Sequence, residues 1–106
     1  MAKIFGNFED LVNTVNKPGV VLLDCFTTWC GPCKMMAPVM EELSKDFEGR
    51  ATVGKVDVEN IAQAGNAFRV TAVPTLIFFK DGKEVAREVG FKSKADLTRK
   101  LESFLK

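Results

Sequence analysis

The chain has 106 residues, 46% of them hydrophobic, which suits one domain with enough apolar side chains for a core. Fifteen Lys and Arg against fourteen Asp and Glu leave a net charge of +1, without a basic stripe or a run of like charge, so neither nucleic acid nor a membrane surface is an expected partner. The apolar runs are short and carry charges at their ends, and Met1–Gly6 holds no signal-peptide core. The expectation is a single cytoplasmic domain over residues 1–106, although a chain whose leader had been removed would read the same.

Lys3 to Phe5 is a short candidate strand. Asn7 reads as an N-cap, with Asp10 three residues on and Leu11, Val12 and Val15 on one face of a first helix. Lys17-Pro18-Gly19 ends it. Val20 to Phe26 is apolar at nearly every position, as in a strand covered on both faces. A helix beginning near Cys33 carries Met36, Val39, Met40, Leu43 and Phe47 at helical spacing, with Pro38 expected to kink it and Gly49 marking its end. Thr52 to Val58 reads as the next strand and Ile61 to Phe68 as a short helix. Thr75 to Phe79 is a strongly apolar strand, and Asp81-Gly82 turns it into Glu84 to Val89. Ser93 with Asp96 caps a last helix bearing Leu97, Leu101, Phe104 and Leu105. The order is βαβαβαββα, an α/β fold with a mixed sheet and helices on both faces. Strand–helix–strand units predict parallel pairing, and the hairpin adds an antiparallel edge.

Trp29-Cys30-Gly31-Pro32-Cys33-Lys34 stands where a strand gives way to a helix. Two cysteines three residues apart can close a disulfide across one helical turn, and such a pair takes up and releases two electrons. An odd cysteine count, three, argues against a static disulfide framework. Three cysteines without a histidine cannot make the usual four-ligand zinc site, and Lys34 stands where haem attachment requires histidine. The lack of histidine also excludes a histidine-activated thiolate. What remains is the helix N-terminus, whose free N–H groups and dipole favour negative charge on Cys30, the neighbouring lysine, and a hydrogen bond from the partner thiol. Pro32 suits the first helical turn, where its missing N–H has no partner to lose.

Asp24 interrupts a strand whose two alternating faces are otherwise apolar. If buried, it keeps its proton to a raised pH and can exchange protons with a nearby thiol. The bland alternative is an edge strand with Asp24 in water. Lys55, on the following strand, is a candidate ion partner. Cys25 points to the opposite sheet face and reads as an inert core residue. Trp29 abuts the cysteine pair and is expected at the surface. Val73-Pro74 opens a strand and by itself carries little information.

On these residues the chain is similar to the thioredoxin family over nearly its full length, and Trp29 to Lys34 is that family's active-site sequence. The resemblance implies Cys30 as attacking thiolate, Cys33 as resolving thiol, Asp24 and Lys55 as the buried acid and its lysine, and Pro38 as a helix kink. It implies a cis bond before Pro74 and a Gly90 that keeps a substrate groove open. Trp29, Val58, Val73 and Val89 would line an apolar docking patch, with an extended target segment adding as a strand at Val73. Three positions depart from the common pattern: Phe26 where a second tryptophan is frequent, Cys25 for phenylalanine, and Phe91 for a small residue. The implied activity is protein-disulfide reduction by a monomer without bound cofactor, acting on disulfide-containing target proteins. Electrons would come from NADPH through a flavin-containing thioredoxin reductase. An oxidant or isomerase on the same fold, and a non-catalytic module of a larger complex, are the alternatives. Gly31-Pro32 argues against the first, because such relatives usually carry histidine between the cysteines.

Overall fold

A computed structural model describes residues 2–106; Met1, the first residue of the expected domain, lies outside them. In chain order the elements are β1 (Lys3–Ile4), α1 (Phe8–Val15), β2 (Val20–Phe26), α2 (Gly31–Asp46), β3 (Ala51–Asp57), α3 (Ala62–Ala67), β4 (Thr75–Lys80), β5 (Lys83–Val89) and α4 (Lys94–Phe104). This is the expected βαβαβαββα order. The caps form as read: Asn7 Oδ1 accepts from the Asp10 N–H at 2.9 Å, and Ser93 Oγ accepts from the Asp96 N–H at 3.1 Å. Asp81 and Gly82 both have positive φ, 52° and 85°, as a tight two-residue hairpin turn requires.

The five strands lie in the order β1-β3-β2-β4-β5. β1, β2 and β3 are parallel. β4 runs antiparallel to β2, and β5 antiparallel to β4. The strand–helix–strand expectation therefore holds around α2 but not around α3, and the reversed strand sits inside the sheet rather than at its edge. The reason is length. Returning to the start of β3, seven residues long, needs a span of roughly 23 Å. A six-residue helix covers only about 9 Å. The chain stays at the end where β3 finished, and β4 starts there.

Each sheet face carries its own core. Leu22, Leu76 and Phe78 pack with Met36, Met40 and Leu43 of α2 and with Leu97 and Leu101 of α4. On the other side Val21, Leu23, Cys25 and Ile77 pack with Leu11 and Val15 of α1 and Ala64 of α3. The alternation along β2 thus assigns Leu22 and Asp24 to the α2 side and Cys25 to the α1 side. β2 is buried from Val20 to Cys25, which is why its sequence reads as a nearly unbroken apolar run.

β1 and β3 approach closely at Gly54. A Cβ there would lie 2.7 Å from the buried Phe5 ring and 3.1 Å from the Lys3 carbonyl oxygen. Gly54→Ala should destabilise the fold by about 1–3 kcal/mol through overpacking. At Gly6 a Cβ would meet no atom of the described residues within 4 Å, so Gly6→Ala should stay within about 0.5 kcal/mol of the parent. Urea midpoints of the two variants check this, and equal midpoints would contradict it.

Candidate active site

After Phe26 the chain turns through Thr27, Thr28 and Trp29 into α2. Cys30 is the N-cap residue, with extended backbone, and Pro32 lies in the first turn. The helix starts at Gly31 rather than near Cys33, because Gly31 and Pro32 contribute nothing to an apolar periodicity. The Cys33 N–H donates to Cys30 Sγ at 3.1 Å, so sulfur occupies the position that a serine or aspartate oxygen holds at other helix starts. An N–H aimed at this sulfur and the positive end of a sixteen-residue helix both favour the thiolate over the thiol. Cys30 and Cys33 are joined as a disulfide, with Cα atoms 5.2 Å apart. Further along, α2 runs on through Pro38, whose missing N–H leaves the Lys34 carbonyl without its intrahelical donor.

The start of β4 faces this turn. The Val73–Pro74 peptide is cis, and the Val73 carbonyl oxygen lies 3.6 Å from Cys30 Sγ. Thr75 Oγ1 donates to the Ala72 carbonyl at 2.6 Å. The Gly90 N–H donates to the Pro74 carbonyl at 2.8 Å. Gly90 has φ +90° and no atom within 4 Å of a hypothetical Cβ. Backbone conformation, rather than internal crowding, therefore calls for glycine, and the space outside it is open.

Behind the disulfide, Asp24 is 1% exposed and its Oδ1 has no hydrogen-bond partner among the described residues. Burial pushes its carboxyl up to about 7, against a smaller downward pull from the Lys55 charge. The solvated-edge alternative is thereby excluded. Asp24 and Lys55 are register partners on β2 and β3. A cavity of about 210 Å³ is bounded by Asp24, Lys55, Cys33, Phe26, Thr27 and Ala37, so acid, lysine and second cysteine share one space. Lys55 Nζ sits 5.8 Å from the centre of the Phe26 ring, so the residue standing where a tryptophan is frequent still offers the lysine an aromatic face.

In front, a groove of about 400 Å³ runs between Trp29 and Val58 on one side and Val70 to Val73 on the other. Trp29 is 67% exposed, and its Nε1 donates to Glu59 at 2.7 Å. Val89 is exposed but lies outside this groove, next to Gly90 and paired in register with Thr75. Cys25 is fully buried on the far face of β2, where burial first and the Asp24 charge second push its thiol up to about 12.

The structure thus brings Cys30, Cys33, Asp24, Lys55, Trp29, Val58, Val73, Pro74 and Gly90 to one end of the sheet. Five participating residues are absent from the sequence pattern. Glu59 orients Trp29, Thr27 borders both the cavity and the groove with its hydroxyl buried and unpartnered among the described residues, and Val70 to Ala72 form the far wall. A threonine next to the motif in the strand-to-helix turn could have drawn attention to Thr27. Nothing local marks the others.

Comparison with known proteins agrees with this geometry. The family model described as Thioredoxin matches residues 4–103. The chain is 46% identical over 99 residues to a thioredoxin from Staphylococcus saprophyticus, covering 93% of this chain and 91% of that protein. It is 48% identical over 87 residues to one from Staphylococcus aureus, covering 82% and 84%. Among solved structures, a mutant thioredoxin from Halobacterium salinarum superposes with a TM-score of 0.90 at 33% identity, covering 99% of this chain and 91% of that one. Thioredoxin from Plasmodium falciparum gives 0.88 at 29% identity, covering 97% and 99%. With a disulfide at the N-terminus of α2 and these likenesses across nearly all of its length, the chain belongs to the thioredoxin family and is a thiol–disulfide oxidoreductase.

Proposed function

We propose that the chain, acting as one thioredoxin domain, is a general protein-disulfide reductase and electron carrier. The observation that carries this reading is the position of Cys30 Sγ. It accepts from the N–H of Cys33, which borders the Asp24 cavity, and lies 3.6 Å from the carbonyl of Val73, which borders the apolar groove.

In the dithiol form the Cys30 thiolate attacks one sulfur of a target disulfide. A mixed disulfide forms and the other target sulfur leaves as thiolate. An extended target segment lies along the groove and pairs with the backbone at Val73, with Trp29, Val58 and Val89 offering apolar contacts and Gly90 leaving room. The Cys33 thiol then loses its proton to the Asp24 carboxylate, which a folded pKa of about 7 leaves partly ionised at neutral pH. Cys33 attacks Cys30 Sγ, the target leaves with both sulfurs reduced, and two electrons have moved from the pair. Lys55 tempers the rise in the Asp24 pKa by its charge. No resident cofactor takes part. A flavin-containing, NADPH-dependent thioredoxin reductase restores the dithiol, and the protein works as a monomer in the cytoplasm. Among the described residues no helix is long and apolar enough to cross a membrane. Reduction of a disulfide-bonded test protein by catalytic amounts of the chain, with dithiothreitol and then with NADPH plus such a reductase, tests the reading. No acceleration in either arm would leave the non-catalytic role.

Three outcomes follow from the mechanism. Cys33→Ser should accumulate covalent target complexes and Cys30→Ser none, as non-reducing gels will report; the opposite pattern would reverse the roles. Alkylation of the reduced native protein should label Cys30 first and spare Cys25, which should react only on unfolding. Peptide mass analysis checks this, and rapid native labelling of Cys25 would refute it.

Asp24→Asn should stabilise the fold and slow release. Asp24 rises from 3.8 unfolded to about 7 folded. For a raised acid, stability is full below the unfolded value, falls between the two and stays reduced above the folded one. The advantage of asparagine should therefore be nil in acid, grow between pH 4 and 7, and level off on the order of 1–4 kcal/mol above that. Initial attack by Cys30 should persist while resolution slows. Melts across pH and single-turnover kinetics measure both, and a variant less stable than the parent at neutral pH would make Asp24 a bystander.

A further inference from the structure

α3 ends in a tightly tied reversal. Arg69 takes φ +54°, the Val70 N–H donates to the Gly65 carbonyl at 2.8 Å, and the Arg69 N–H donates to the Asn66 carbonyl at 3.3 Å. This is a Schellman ending, made here with arginine in the left-handed position that glycine usually fills. It leaves the carbonyls of Phe68 and Arg69 without intrahelical donors. Both are taken by one side chain from the far edge of the sheet. Arg87 on β5 donates from Nη2 to the Phe68 carbonyl at 2.6 Å and from Nη1 to the Arg69 carbonyl at 3.2 Å. Its remaining donors are aimed by Glu84, with Nε at 2.8 Å and Nη2 at 2.9 Å from the two carboxylate oxygens. Alternation fixes the direction: Ala86 packs on the α2–α4 core and Glu88 pairs with Lys100, so Arg87 faces the α3 side. The next residues along the chain, Val70 to Val73, are the groove wall, and the last of them presents its carbonyl to Cys30.

We propose that Arg87, aimed by Glu84, is a positioning residue for target docking: it fixes the end of α3 and thereby the distance of the Val70–Val73 wall from Trp29 and Cys30. The inference rests on the docking groove proposed above. Lysine cannot replace Arg87, because the site uses a planar fork that reaches two carbonyls and a carboxylate at once. The wall is otherwise held at Val70, by its N–H bond, and at Ala72, whose carbonyl accepts from Thr75 Oγ1, so its α3 end depends on where α3 stops.

The test compares KM and kcat for insulin, a folded protein disulfide, with the rate toward a small dithiobis-nitrobenzoate reagent that needs no groove. Dithiothreitol is the reductant in the insulin arm; the small reagent, which dithiothreitol would reduce directly, is given to the pre-reduced full chain freed of dithiothreitol and followed over a single turnover. Arg87→Gln and Arg87→Lys should each raise the insulin KM on the order of three- to tenfold, with kcat and the small-reagent rate within about twofold of the parent. Glu84→Gln should raise KM in the same direction by less. Val58→Asp tests the groove by itself. If it raises KM while the Arg87 variants do not, the groove stands and the role of Arg87 falls; if neither raises KM, both fall. A parent-like KM for Arg87→Lys, or losses toward both substrates in step with a lower melting temperature, would also overturn the proposal. If Arg87→Gln does not fold, Arg87→Lys carries the same expectation with the charge and stem retained.

Discussion

A six-residue helix cannot carry the chain back across a seven-residue strand, and the site depends on that mismatch. Because α3 is short, the turn from β2 into α2 and the turn from α3 into β4 meet at one edge. β2 is hydrogen-bonded to β3 on one side and β4 on the other, so it holds the two turns in fixed register. Asp24, three residues before Thr27 on that strand, is thereby set under the first turn of α2.

Two opposite electrostatic environments follow within one helical turn. At Cys30 the unpaired N–H groups of a long helix face outward and stabilise negative charge on sulfur. At Asp24 the sheet and α2 withdraw water, and among the described residues no hydrogen bond to Oδ1 compensates, so negative charge is disfavoured. Both biases work on the same pair of sulfurs. One favours a thiolate on Cys30, and the other keeps a proton acceptor near neutrality in the cavity that Cys33 borders. The apolar residues of β2 maintain the difference, and the Lys55 charge moderates it at Asp24.

Much of this was legible in the chain. The Cys-Gly-Pro-Cys motif, the caps at Asn7 and Ser93, the Asp81-Gly82 turn and the doubly buried β2 are local patterns, and local patterns survive folding. The burial of Asp24 followed because both of its neighbouring sets on β2 are apolar. What escaped is of longer range. Trp29 meets Glu59 across a separation of 30 residues, and Arg87 meets Phe68 across 19. Neither contact leaves a trace in spacing or composition. The direction of β4 was missed because strand–helix–strand order was read without weighing the length of the helix against the length of the strand. Gly90 lies beside Pro74, to whose carbonyl its N–H donates, and its positive φ is a backbone property that the pattern of neighbours does not disclose.

Cys25 has a further consequence. It lies one residue from Asp24, yet the sheet stands between its thiol and the two sulfurs of α2. A third thiol within reach of a redox pair would open side branches, in which sulfurs reshuffle among three partners and oxidation becomes trapped in an unproductive pairing. A layer of hydrogen-bonded backbone prevents this as an electrical insulator prevents a short circuit. The circuit keeps two states, charged and discharged, and whatever docks in the groove meets only those.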